Sequence, residues 1–255
     1  MALRNGLLVH GPTSWAAAVR DRQGRIQIAS GRKPSLGTGV NRVPLARGAV
    51  RMAEAMAVIP IARAKLPAAR LPFEDARFLV GAVGALAVTG AARRLRLPAA
   101  AVEAASAVVA LAPTMAAMRG SQIAAYHAVE HKSIGAYETD GDPAATPKEH
   151  QRCGSNLVGP MALFSILGEA MLERLSTRPG RIAQGLAAVG ATGAAVEVFA
   201  FAERHPDSLV GRGVHSAGHE IQARFVTAEP TAEQMEVGEA ALAELLRVEA
   251  AHNAA

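Results

Sequence analysis

Four long stretches of the chain consist almost entirely of apolar residues, with Ala, Gly and Val dominating. They span residues 78–92, 98–118, 157–172 and 182–202. Apolar runs of this length predict helices, because a buried strand usually ends after about 4–8 residues. The pattern therefore predicts a mainly helical protein with a bundle of apolar helices at its centre.

The same four stretches leave two architectures open. A membrane-spanning helix needs about 20 largely apolar residues, and the first and third stretches are shorter than that. Glu103 and Pro113 interrupt the second stretch, and Gln184 and Glu197 interrupt the fourth. Ala and Gly also favour insertion less than Leu or Ile. A buried bundle in a soluble protein and a polytopic membrane protein with small-residue helix contacts both fit this pattern.

The N-terminal part of the chain differs from this apolar centre. Residues 14–20 and 25–29 flank a turn-forming sequence, Asp21-Arg22-Gln23-Gly24, and so predict a β-hairpin. Residues 31–43 contain Gly and Pro at short intervals and predict an exposed loop. A helical pattern begins at Pro44, and Pro60 is expected to kink or end that helix.

A capping box predicts the start of the last helix. Thr231 occupies the N-cap position and Gln234 follows three residues later, so that each side chain can bond the backbone N–H of the other. Behind them, apolar residues recur at helical spacing to about residue 250: Met235, Gly238, Leu242, Leu245 and Val248. The sequence therefore predicts a capped, amphipathic C-terminal helix.

These differences divide the chain into three predicted segments. Residues 1–43 form a small β element and a loop, residues 44–204 form the helical core, and residues 205–255 form a loop followed by the amphipathic helix. The predicted fold class is thus mainly α, a helical bundle embedded in or associated with a membrane, with a small N-terminal β-hairpin element.

Composition and charge exclude several classes of protein. Half of the 255 residues are apolar, which argues against intrinsic disorder. Cys153 is the only cysteine, so a disulfide scaffold is excluded. The net charge is +5, and the arginines are spread along the chain instead of forming the basic patch of a nucleic-acid-binding protein. The first ten residues lack the apolar run of a secretory signal, and we expect the N-terminus to be cytoplasmic.

The strongest chemical signal is the pattern H-x-x-E-H, formed by His127, Glu130 and His131. Histidines four residues apart lie on one face of a helix and can bind one metal ion, while the glutamate can deprotonate a water molecule. Catalytic zinc sites use three protein ligands and leave one position open. The helix is predicted to continue to Glu138. The alternative is a helix whose two histidines are exposed or hydrogen-bonded and bind no metal.

Several residues are candidates for a third ligand. Glu138 lies on the same predicted helix face as the two histidines. Glu197 stands within an apolar stretch, where a carboxylate is costly to bury unless it binds a cation or pairs with an arginine. His150 is expected on a short helix that begins with a capping box at residues 146–149. Cys153 can serve as a thiolate ligand or as a small buried hydrophobe.

The residues around this motif resemble the YqhQ-like family of bacterial proteins. The resemblance is carried by residues 126–133, 136–138 and 152–155, and it extends to residues 6–20 and 222–237 near the two ends. It implies a metal-dependent enzyme with several membrane helices, in a family that is uncharacterised. By position, it carries seven residues over to the site: His127, Glu130, His131, Glu138, His150, Cys153 and Glu197.

These observations lead to a hypothesis of a membrane-associated, zinc-dependent hydrolase of unknown substrate. Glu130 would be the catalytic base, and the metal ligands would be His127 and His131 with Glu197, Glu138 or His150, and Cys153 as an additional candidate. An iron-dependent oxidative enzyme and a non-enzymatic membrane scaffold or assembly factor are the alternatives. The expected location is the bacterial cytoplasmic membrane, with the cytoplasm as the alternative. The expected partner is the membrane and not nucleic acid, and a homo-oligomer is an option.

Overall fold

A computed structural model describes residues 1–35, 46–92, 94, 99–175 and 180–253 of the chain. Within these residues, a three-stranded sheet comes first and eight α-helices follow. The strands are β1 (Gly6–His10), β2 (Ser14–Arg20) and β3 (Ile26–Arg32). The helices are α1 (Ala46–Lys65), α2 (Ala76–Ala92), α3 (Ala99–Met118), α4 (Gln122–Thr139), α5 (Val158–Leu175), α6 (Arg181–Arg204), α7 (Leu209–Ile221) and α8 (Ala232–Asn253). The prediction of a mainly helical fold with a small N-terminal β element is confirmed.

The N-terminal sheet is antiparallel, with the strand order β1-β2-β3. The predicted hairpin is formed by β2 and β3, and β1 adds a third strand on the other side of β2. Gly24 ends the hairpin turn at φ +82°, a conformation that glycine adopts without steric cost. The sheet is therefore larger than the hairpin that the sequence predicts.

Both faces of β1 and β2 are buried, whereas β3 at the edge is partly exposed. Alternate residues such as Leu7 and Val9 face a core that includes Val129 of α4 and Leu245 of α8. The opposite face packs on α1 and on the segment that follows it, through Leu8, Trp15, Val19, Val58 and Leu66. Side chains alternate between the two faces of a strand, so this short N-terminal sheet can pack on α4 and on the C-terminal helix α8 through one of its faces. This packing fixes the helix that carries the H-x-x-E-H motif.

The four apolar stretches form helices α2, α3, α5 and α6, as predicted. Helix α2 packs on α3, α5 on α6, and α3 on α5. Two segments, Gly154–Leu175 and Arg181–Arg204, are long and apolar enough to cross a membrane, yet only 11% and 22% of their apolar windows are buried. The core helix of a soluble protein is mostly buried. The two segments therefore weakly indicate association with a membrane.

The structure corrects three predicted elements. Pro60, expected to kink or end its helix, does not end it: α1 continues to Lys65, with Val58 and Ile59 beside the proline packed against the sheet. Residues 146–149 form bends and irregular chain instead of a helix. Residues 209–221, expected in a loop, form helix α7. The carbonyl of Thr146 accepts from Lys132 and the N–H of His150 donates to Gln222, so tertiary contacts take the two groups that a helix from residue 146 would pair.

The remaining terminal predictions have different outcomes. The capping box is confirmed: Gln234 Oε1 accepts from the N–H of Thr231 at 2.9 Å, and Thr231 Oγ1 accepts from the N–H of Gln234 at 3.3 Å. Gly238 and Leu245 of the predicted apolar stripe are buried. Gly31, expected in a loop, belongs to β3, and residues 36–43 of that loop lie outside the described residues.

Candidate metal centre

Helix α4 carries the H-x-x-E-H motif and has a defined start and end. The hydroxyl of Ser121 accepts a hydrogen bond from the N–H of Ala124 at its N-terminus. Asp140 adopts φ +50° at its C-terminus, and the chain then turns back. The predicted helix through Glu138 is confirmed, and the turn at Asp140 directs the following segment over the face that bears His131.

The segment that follows α4 lies against that helix. Lys132 is buried, and its ammonium group donates to the carbonyl oxygens of Ala144 at 3.2 Å and Thr146 at 2.9 Å. Gly135 allows the close approach, because a Cβ atom there would lie 2.9 Å from Cγ2 of Thr146. These contacts place the chain from residue 144 to Cys153 beside the motif.

Three potential metal ligands converge at this point. The donor atoms of His127, His131 and Cys153 all lie within 4.8 Å of one another. The Sγ atom of Cys153 lies 3.3 Å from Nε2 of His127, and the two imidazole centroids are 4.3 Å apart. A tetrahedral zinc ion, with bonds of about 2.0 Å to nitrogen and about 2.3 Å to sulfur, separates its donor atoms by roughly 3.3–3.8 Å. The 3.3 Å between Sγ of Cys153 and Nε2 of His127 matches this separation, and the other two pairs of donors lie within 4.8 Å.

Backbone carbonyl groups orient both imidazoles. Nδ1 of His127 lies 2.9 Å from the carbonyl oxygen of Val226, and Nδ1 of His131 lies 2.6 Å from that of Lys148. A carbonyl oxygen can only accept, so each Nδ1 carries the proton and donates it. In the neutral form of each ring the lone pair is therefore on Nε2, where it can bind a metal, in the arrangement that metal-binding histidines usually show.

The surroundings of Cys153 favour its thiolate. Burial raises the pKa of the thiol, but hydrogen bonds and positive charge from His127 and His131 outweigh burial and lower it to about 5. Burial also lowers the pKa of His127, and the contact with Cys153 more than offsets this, so that the pKa of His127 is raised. A thiolate is the form of cysteine that binds metals.

Glu130 lies on α4 beside this group of three. Its Oε1 atom accepts from the N-terminal ammonium group of Met1 at 2.6 Å. Burial raises the pKa of Glu130. The positive charges of this ammonium group, His127 and His131 have the opposite effect and outweigh burial, so the pKa is lowered overall. Glu130 is thus an ionised carboxylate next to the candidate metal centre.

The other predicted ligands lie outside the group of three. His150 and Glu138 contact each other, with Nε2 and Oε2 3.2 Å apart, and Arg152 Nη1 lies 3.1 Å from Glu138 Oε1. The ring of His150 is 5.8 Å from that of His131 between centroids. Glu197 is a partly buried residue of α6. Among the described residues, the converging donors come from His127, His131 and Cys153 only.

Several groups that shape the site have no signal in the sequence pattern. A turn of π-helix, Gln222–Val226, follows α7 and ends at the carbonyl group that orients His127. The buried Gln222 accepts from the N–H of His150 at 2.7 Å and so ties this turn to the segment beside His131. Carbonyl groups belong to every residue type, which is why spacing and composition could not find Val226 or Lys148.

A family model described as "Protein of unknown function (DUF1385)" matches residues 96–248, more than half of the chain. The chain belongs to the DUF1385 family. The matched region contains all three converging residues and Glu130, so the candidate centre lies within the DUF1385 part of the chain. No curated protein and no solved structure matches the sequence. The family description gives no activity, and the metal-dependent enzyme implied by the YqhQ-like resemblance remains a prediction.

Proposed function

We propose that this DUF1385 protein is a membrane-associated, zinc-dependent hydrolase whose metal ligands are His127, His131 and Cys153. One observation carries the proposal: both Nδ1 atoms donate to backbone carbonyls, Nε2 of His127 lies 3.3 Å from Sγ of Cys153, and His131 supplies a donor atom within 4.8 Å of both. Two oriented imidazoles and a thiolate-favouring cysteine are the donors expected for zinc.

The donor set favours zinc over the iron alternative. Non-haem iron enzymes commonly use two histidines and a carboxylate, whereas the third converging donor here is a sulfur atom. Two histidines and one cysteine leave one coordination position open, as in catalytic zinc sites. Bound zinc would polarise a carbonyl group and lower the pKa of a water molecule to about 7.

Glu130 is proposed as the general base. It is ionised, since its pKa is lowered, and it lines the same pocket as His127. One carboxylate oxygen is held by the ammonium group of Met1, which fixes the carboxylate. In this role Glu130 accepts the proton of the attacking water.

The proposed location is the bacterial cytoplasmic membrane. The two candidate spans, Gly154–Leu175 and Arg181–Arg204, support this proposal, and the first begins directly after Cys153. Helices α2 and α3 add further apolar surface to the same bundle. The metal centre would then lie close to the membrane surface.

A second function is favoured by one specific contact. Cys153 Sγ lies 3.3 Å from Nε2 of His127, and the carbonyl of Val226 orients that imidazole. A cysteine beside an oriented histidine is the arrangement of a nucleophilic cysteine enzyme. In this alternative Cys153 attacks the substrate directly, and no metal is needed.

Metal analysis of purified protein tests the proposal. We expect about one zinc per chain in the wild type by elemental mass spectrometry, and loss of that zinc in His127→Ala/His131→Ala and in Cys153→Ser. Glu138→Gln and His150→Ala are matched controls, because these residues lie nearby but outside the converging group. Both controls should retain the metal. Glu130→Gln should also retain it while losing hydrolysis of any substrate found by screening.

Other outcomes would overturn the proposal. One iron per chain would favour the oxidative enzyme. A metal-free protein whose Cys153 reacts rapidly with iodoacetamide, and slowly in His127→Ala, would favour the nucleophilic cysteine. A metal-free protein without a reactive thiol would favour the membrane scaffold.

A further inference from the structure

A pocket of about 320 Å³ opens beside the candidate metal centre. Helix α4 forms one wall with Ile123, His127 and Glu130, which lie on one face of the helix at spacings of four and three residues. The pocket therefore includes one proposed ligand and the proposed base. Pockets that bind small molecules begin at about this size.

The lining of this pocket changes character along α4. From Ile123 to Glu130 the helix rises about 10 Å, and over that distance the lining changes from apolar to polar. The far wall comes from α2 and α3, through Phe78, Ala117 and Met118. The polar side consists of His127, Glu130 and the N-terminal residue. The pocket is thus amphipathic, and its polar end is the reacting end.

Helix α2, which supplies Phe78 to the apolar wall, also carries exposed apolar residues. Val80 is 73% exposed and Val83 is 68% exposed. Exposed apolar surface of this kind suits contact with a membrane. Two other pockets near His131 are lined by polar residues such as Glu149 and His150 and include neither His127 nor Glu130. The pocket of Ile123, His127 and Glu130 thus joins the proposed base to an apolar lining.

From these observations we infer that the pocket binds the aliphatic chain of an amphiphile, with the scissile ester or amide group between His127 and Glu130. This inference rests on the proposed hydrolase, since it names the substrate class of the same site. In the hydrolytic step the water oxygen bonds to the acyl carbon and the bond from that carbon to the leaving oxygen or nitrogen breaks. One water proton passes through Glu130 to the leaving alcohol or amine and the other stays with the carboxylic acid product, so no redox partner is needed.

Photo-crosslinking tests this inference without requiring turnover. The probe is the N-methylamide of a long-chain fatty acid bearing a diazirine, added to the full-length protein in detergent micelles. We expect crosslinks in the peptides that contain Phe78 and Met118. Unlabelled palmitic acid N-methylamide should remove them, whereas N-methylacetamide should not, because the pocket recognises the chain.

A pair of variants on α3 separates the pocket from general binding to apolar surface. Thr114 lines the pocket and is exposed, so the indole in Thr114→Trp can fill the space without disturbing the core. Ala116 is exposed on the same helix and outside the pocket, which makes Ala116→Trp the matched control. We expect Thr114→Trp to lower competed crosslinking by about tenfold, equivalent to about 1.4 kcal/mol, and Ala116→Trp to leave it unchanged.

Metal content measured on the same samples keeps the two proposals distinct. Competed crosslinking that survives in the metal-free Cys153→Ser variant supports the chain-binding pocket even where the hydrolase fails. Equal crosslinking in Thr114→Trp and Ala116→Trp overturns the inference that the pocket binds the aliphatic chain. If the same protein contains zinc, the proposed hydrolase stands, but its substrate belongs to a different class. Crosslinks confined to α5 and α6 also overturn it.

Discussion

The imidazole of His131 donates from Nδ1 to the carbonyl oxygen of Lys148, 2.6 Å away and 17 residues later in the chain. The next residue on α4, Lys132, holds the segment that carries this carbonyl, through the carbonyl groups of Ala144 and Thr146. Its ammonium group also pairs with Glu229 at 2.8 Å. Two neighbouring residues of α4 thus act together. His131 is a proposed metal ligand, and Lys132 holds the segment whose carbonyl group orients His131.

Replacing this anchor should weaken metal binding. In Lys132→Met the carbonyls of Ala144 and Thr146 lose a buried donor, and the carbonyl that orients His131 is no longer held. Loss of such an orienting contact typically costs 10–100-fold in metal affinity, and we expect about a tenfold loss. Competition with a chromophoric zinc chelator measures the change.

The matched control for this variant is Lys148→Ala. It removes a side chain but keeps the backbone carbonyl that accepts from His131, so zinc affinity should stay within about twofold of the wild type. Equal losses in both variants would contradict an orienting role for the carbonyl and for Lys132.

The contact of α8 with α4 depends on Gly238. A Cβ atom at this position would lie 2.3 Å from Cγ1 of Val129 and 2.7 Å from Oγ of Ser133. We expect Gly238→Ala to lower the free energy of unfolding by about 1–3 kcal/mol, the cost of overpacking a core. Thermal denaturation in detergent would measure it.

Gly213→Ala on α7 provides the comparison, because nothing lies within 4 Å of a Cβ atom there. Alanine is the better helix former, so this variant should gain about 0.5–1 kcal/mol. A Gly238→Ala protein as stable as Gly213→Ala would show that the two helices can separate without cost.

A pH-dependent contribution to stability is expected from Glu244 on α8. A hydrogen bond from Arg247 lowers its pKa most, burial opposes this, and a bond from Ser30 of β3 lowers it further, to about 2. Because the folded pKa lies below the ordinary value of 4.5, the ionised group stabilises the fold above about pH 4.5. This contribution is lost as the pH falls towards 2.

The difference in unfolding free energy between the wild type and Glu244→Gln should therefore be about 1 kcal/mol at neutral pH, the upper end for surface ion pairs. Melting curves between pH 7 and pH 3 should show it declining below about pH 4.5. Glu239→Gln, at an exposed position on the same helix, serves as control. A difference that grows on acidification would contradict the assignment.

Membrane insertion predicts a strong effect of charge on α6. Val189 is 55% exposed within the candidate span Arg181–Arg204, and arginine near the centre of a spanning helix costs about 2.5–3.5 kcal/mol. Val189→Arg should reduce the fraction of protein that stays in the membrane pellet after carbonate extraction. Leu246→Arg, on exposed surface of α8, should not. Equal retention of both variants would argue against α6 as a spanning helix.

The sequence by itself determined the local elements. The apolar runs specified α2, α3, α5 and α6, because a long apolar run can satisfy its backbone hydrogen bonds within itself only as a helix. The capping box at Thr231 and Gln234 specified the start of α8, since both bonds are local. The spacing of four residues between His127 and His131 placed their side chains on one face of α4, because the geometry of a helix is also local.

Only the tertiary structure decided which residues meet. Cys153 lies beside His127 because the chain after Asp140 folds back along α4 and is held there by Lys132, whereas His150 contacts Glu138. The carbonyls of Val226 and Lys148 orient the histidines through contacts that span 99 and 17 residues. Such contacts depend on how packed helices bring distant backbone together, and a backbone carbonyl carries no mark in the sequence.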